Sequence, residues 1–163
     1  MNPASFDLSG TWRGHYVHAG TRHGIAMEIT QEGLRIQGTM RDEHTVFAST
    51  ETIPSPEPWQ PAEDVELLIT LPESSEIRGE VLGERVSFVK RYLGGQSIYG
   101  RSEDHEMSVV VVGHRVFYAG RIEAEGAVLR GRWTIPPMVP GDPAEEDEFE
   151  LRREPGAPPP PPA

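Results

Sequence analysis

The chain has no cysteine among its 163 residues. That excludes disulfide staples, thiolate metal sites, iron–sulfur clusters and cysteine nucleophiles, and it agrees with a reducing compartment. Positive charge is scarce. Fifteen Lys and Arg stand against 26 Asp and Glu, which leaves a net charge of −11. An acidic surface repels phosphate backbones, so a nucleic acid is not an expected partner. Part of this acidity lies in the run PAEEDEFE at Pro143–Glu150, which reads as a solvated face. Long apolar runs are missing too. VVVV at Val109–Val112 is far too short to span a bilayer, and the opening MNPASFDLSG has neither the basic region nor the apolar stretch of a signal peptide. The expected setting is therefore the cytoplasm, with no membrane partner. No segment carries a convincing ten-residue helical stripe, so the crossover helices of a βαβ fold have no source. Nucleophile elbows, phosphate-binding glycine loops and HExxH are also absent, and neither a metal nor a cofactor is expected.

What the chain does have is alternation with a period of two. Ile25, Met27 and Ile29 alternate with Ala26 and Glu28, and Leu34, Ile36, Gly38 and Met40 fall in register a few residues later. Such patterning marks half-buried strands. Glycine recurs inside these stretches, in IQG at Ile36–Gly38, IRG at Ile77–Gly79, IYG at Ile98–Gly100, YAG at Tyr118–Gly120 and LRG at Leu129–Gly131. Glycine packs nothing in a flat strand but is useful where a strand bends sharply or another group comes close. About ten short strands joined mostly by tight turns suggest an all-β meander that hides its edges by closing. The expected fold is a single closed antiparallel up-and-down β-barrel of about 8–10 strands with no substantial helix. A lead-in covers residues 1–8 and the barrel domain 9–153. Long proline-rich loops fall at 53–64 and 136–146, and residues 154–163 form a disordered proline-rich tail. Trp59, within the first loop, reads either as a lid contact or as an anchor on the outer wall.

The opening Gly10-Thr11-Trp12 resembles the start of the first strand in the calycin superfamily, which includes lipocalins, fatty-acid-binding proteins and avidins. The resemblance covers the whole folded part of the chain and implies that Trp12 looks inward and plugs the closed end of the barrel. Avidin-like and compact lipocalin-like barrels are the most similar. The ligand-contacting asparagine that avidins place two residues after the tryptophan is replaced here by Gly14, so biotin binding does not carry over.

The candidate chemistry lies in VSFVKRY at Val86–Tyr92. Alternation puts Val86, Phe88, Lys90 and Tyr92 on one face. A lysine inside a small barrel needs a partner, because an unpaired buried ammonium is expensive. The partner is either a ligand anion or an internal carboxylate such as Glu28, although Glu28 alternates to the outside. A strand-end position from which Lys90 snorkels to water is the third option. Tyr16, Phe88, Tyr92, Tyr118 and Trp133 all sit in alternating strands. They either fill a core or line a pocket whose polar tips orient a ligand. The glycines, by removing volume from the walls, favour a modest cavity. His15 and His18 point to opposite faces, whereas His18 and His23 can meet across a hairpin.

Three functions stay open at this point. The first is a non-enzymatic barrel holding a small, partly apolar ligand against Tyr16, Phe88, Lys90, Tyr92, Tyr118 and Trp133. The second is an enzyme using Lys90 and Tyr92 at the barrel mouth. The third is a structural or interaction module with a packed interior, able to self-associate through its outer wall.

Overall fold

A computed structural model of the chain describes residues 6–53, 59, 62–103, 105–137, 140–141 and 143–155. Most of the 53–64 loop, part of the 136–146 loop and the tail from 156 onward lie outside the described residues. Twelve strands form among the described residues: β1 (Gly10–His18), β2 (Thr21–Glu32), β3 (Arg35–Asp42), β4 (Val46–Ile53), β5 (Glu63–Thr70), β6 (Ser74–Leu82), β7 (Arg85–Tyr92), β8 (Gly95–Arg101), β9 (Glu106–Val112), β10 (Arg115–Glu123), β11 (Val128–Ile135) and β12 (Glu145–Arg153). The described residues contain no α-helix, only a 3₁₀ turn at Ala124–Gly126.

Eight strands close into a barrel in the order β1-β12-β11-β10-β7-β6-β3-β2. First and last meet: Trp12 pairs with Arg153 and Tyr16 with Phe149. The other four strands form a sheet in the order β4-β5-β8-β9. That order repeats the barrel order β3-β6-β7-β10, and each of the four continues its barrel counterpart after a break of two or three residues. Hydrogen bonds carry the ladder across the break: Leu71 N–H donates to the Thr45 carbonyl at 2.8 Å, Leu93 to Ser74 at 3.0 Å and Tyr92 to His114 at 3.0 Å. Pro72, which lacks an N–H, and Gly94 and Gly113, with φ of 118° and 70°, interrupt the strands there. The molecule is thus an eight-strand meander, as the alternation suggests. Four neighbouring walls run past the rim and bend into a hood. The eight barrel strands fall within the expected count of about 8–10, and the other four segments form the hood.

The base is packed solid. Trp12 is fully buried and its indole N–H donates to the Leu8 carbonyl at 2.9 Å, while the Arg153 guanidinium lies 4.7 Å from its ring. Arg153 also donates to the carbonyls of Ser9 and Asp7 at 2.7 and 2.5 Å, which straps the lead-in across the floor. Leu8 is buried with the core, so the floor begins before residue 9. Met27, Met40, Ile77, Leu129 and Phe149 fill the space above Trp12.

The glycines within the barrel mark close approach. A Cβ on Gly131 would sit 2.1 Å from the Ala119 carbonyl oxygen, and one on Gly38 would sit 1.9 Å from that of Glu28. In both cases the obstacle is the backbone of the neighbouring strand, as tight coiling requires. Gly100, in the hood, has only side chains nearby, the nearest at 3.3 Å.

Candidate functional site

Alternation along β7 continues to its end, so Phe88, Lys90 and Tyr92 all face inward with Val86. Lys90 is only 1 % exposed, which rules out snorkelling. Its partner is internal. Nζ lies 2.5 Å from Oδ1 of Asp42, and the Tyr92 hydroxyl donates to Oδ2 of the same carboxylate at 2.7 Å. Glu28 faces out and is exposed. Asp42 reaches the interior because it ends β3 on the same alternation as Ile36 and Met40, all three buried. The ammonium also lies 4.7 Å from the centre of the Tyr92 ring and 5.5 Å from that of Tyr16. Burial pulls the Lys90 ammonium below its usual range, opposed by the Asp42 carboxylate. Burial first, and the Asp42 charge second, push the phenols of Tyr16, Tyr92 and Tyr118 well above the ordinary tyrosine range, so all three stay protonated.

Above this triad the barrel stops being packed. A cavity of about 700 Å³ opens between the mouth and the hood. Lys90, Tyr92, Tyr118, Tyr16 and Trp133 contribute to its lower wall, and Phe47, Ile69, Leu71 and Gln96 of the hood to its upper wall. Opposite the hood, the β1–β2 turn brings His18, Ala19 and Thr21 to the rim, and Ile135 and Glu145 come from the ends of β11 and β12. Trp133 is fixed by its indole N–H, which donates to the Val17 carbonyl at 2.9 Å.

Five of the six residues proposed from sequence as ligand contacts therefore meet at one cavity. Phe88 does not. It is the cross-strand partner of Tyr118, stacked on it at 4.7 Å and edge-on to Phe149 at 6.1 Å, as part of the core. The expectation that glycines carve the cavity also needs correcting, because none of the described glycines lines it. Its volume comes from the hood standing over the mouth. Trp59 is 77 % exposed, which does not fit an anchor packed on the outer wall.

Sequence reasoning passed over Asp42, although its signal was present two residues beyond Met40. It also passed over His114, whose ring stacks on Tyr92 at 5.8 Å, and the aromatic contacts of His23 with Tyr16 and Phe47, each at 5.1 Å. Burial lowers both imidazoles from their usual range. The neighbouring charges of His44 and His18 add to the effect at His23, and Lys90 adds to it at His114. His18 and His23 do approach, at 6.4 Å between ring centres, but the described residues contain no group of three His, Asp or Glu arranged to hold a metal ion.

Fold and cavity together define a class: a small closed antiparallel β-barrel, sealed at its base and hooded at its mouth. Comparison with known proteins finds no matching family model, no matching curated protein and no matching solved structure. No helix among the described residues is long and apolar enough to cross a membrane.

Proposed function

We propose that this chain is a binding protein that holds a small, partly apolar molecule in the cavity between barrel mouth and hood. One observation carries the reading: a space of about 700 Å³ with aromatic and aliphatic walls and a few polar groups gathered at its floor. That composition and size are typical of small-molecule sites, which run from roughly 300 to 1,000 Å³. Kinship with the calycins belongs to the same proposal, supported by the closed meander and by Trp12 buried at its base. Native mass spectrometry of protein purified from its own host tests it and counts subunits in the same spectrum. The expected result is a retained small molecule that is lost when Gln96→Trp fills the cavity. A bare chain mass, or a retained mass indifferent to that substitution, contradicts the reading.

A second reading has its own support. Lys90 and Tyr92 are each within hydrogen-bond reach of Asp42, as proton transfer requires. An enzyme at this mouth would convert the retained molecule, and Tyr92→Phe would stop the conversion without stopping retention. The non-enzymatic reading is preferred because both Asp42 oxygens are engaged and its side chain is sealed from solvent.

A further inference from the structure

We propose, building on the reading of the cavity as a ligand site, that its occupant is an uncharged, mostly apolar molecule that sets one carbonyl-type acceptor against Lys90, Tyr16 and Tyr118.

The charge at the floor is already matched. Lys90 Nζ and Asp42 Oδ1 are 2.5 Å apart and both side chains are buried. Wherever the shared proton rests, the pair is neutral as a whole. An anionic ligand group would find no unmatched positive charge there, and an uncompensated charge taken out of water is costly. The remaining carboxylates that line the space, Glu51 and Glu145, are also negative. A cation fares no better at the floor, because it would lie against the Lys90 ammonium, whose Asp42 carboxylate already has both oxygens engaged.

Hydrogen-bonding capacity, by contrast, is left over. An ammonium has three N–H donors and Lys90 spends one on Asp42. The hydroxyls of Tyr16 and Tyr118 make no hydrogen bond among the described residues, and both side chains line the cavity. No buried side-chain polar atom among the described residues lacks a partner, so these two unbonded hydroxyls keep some accessible surface. Held protonated, they offer O–H donors to whatever enters. Donors without excess charge fit the oxygen of a ketone, ester or amide. Phe47, Ile69, Leu71, Val116, Trp133 and Ile135 offer an apolar surround for the rest of the molecule.

Two fluorescent probes of similar size separate the possibilities. One is the uncharged naphthyl ketone 6-propionyl-2-(dimethylamino)naphthalene. The other is the anion 1-anilinonaphthalene-8-sulfonate. Titration of the full chain is expected to show the ketone binding at least about tenfold more tightly than the sulfonate, a preference of one factor of ten being the smallest that a lost charge match predicts. Tyr16→Phe and Tyr118→Phe each remove one oxygen that has no described protein partner, so the fold is kept. Each should weaken the ketone by about five- to tenfold, the worth of one hydrogen bond, and leave the sulfonate unchanged. Gln96→Trp should abolish cavity binding of both probes. Tighter binding of the sulfonate in the cavity, or a ketone affinity indifferent to both tyrosine substitutions, overturns the inference while the container reading survives. If neither probe binds, or if Gln96→Trp alters neither, both fall together.

Discussion

Toward the base the barrel encloses Trp12, Met27, Met40, Ile77, Leu129 and Phe149, with the buried Ser75 hydroxyl satisfied by the Met40 carbonyl at 3.2 Å. Above it the same strands enclose Asp42, Lys90, Tyr92 and open space. The difference lies in what each level can do with a side chain. Apolar groups interdigitate and fill the volume to the density of a crystal. A buried ion pair has to satisfy its hydrogen bonds first and cannot be squeezed to fill a gap. The four walls that continue past the rim then place an apolar surface over this polar floor. A container results where the base, built on the same meander, is solid.

The sharpest way to break this contrast is to remove charge from one level and volume from the other. Asp42→Ala leaves a buried ammonium without its carboxylate and should cost about 3–5 kcal/mol in urea unfolding. Leu129→Ala at the base should cost a similar amount, about 2–5 kcal/mol, through cavity creation instead. The double substitution Asp42→Leu with Lys90→Met distinguishes the two causes. It should recover most of the loss at the mouth, whereas no charge replacement helps at the base. If Asp42→Ala unfolds no more easily than the native chain, the pair does not organise the mouth.

A smaller effect separates barrel from hood. Gly131→Ala pushes a methyl into the Ala119 carbonyl and should destabilise by about 1–3 kcal/mol, the usual cost of overpacking. Gly100→Ala meets only side chains that can give way and should cost less than half of that. Equal losses, measured by thermal melting, would remove the distinction between a tightly coiled barrel and a relaxed extension.

The smallest expected effect is on pH dependence, and it belongs to the mouth. His23 and His114 have folded values below the ordinary 6.5, mainly through burial, so the unfolded chain binds protons more readily. Stability should therefore be level above about pH 6.5 and decline as the pH falls toward 5.5. Replacing both with Gln should flatten the urea midpoint over that window. An unchanged slope would show that other groups govern it.

Much of this arrangement was legible in the chain. Alternation alone turned Lys90, Tyr92, Tyr118 and Trp133 inward, and Gly38 and Gly131 announced a coiled wall. Asp42 was legible by the same rule, since two residues beyond Met40 is again an inward position. The hood was not. A proline or a glycine pair between two strand-like stretches reads the same whether the chain turns back or merely bends and continues, and at Pro72 and Gly94-Gly95 it continues.

The residue order determined by itself which side chains face in and which face out, because successive residues of a strand point to opposite sides whatever the fold around them. Only the tertiary structure decided that β3 and β7 lie either side of β6, which brings a carboxylate against an ammonium 48 positions away. It likewise decided that the surplus length of four walls stands over the mouth. Tight turns specify hairpin neighbours, but the pairings of β3 with β6 and of β1 with β12 depend on closure of the whole sheet, which no local pattern encodes.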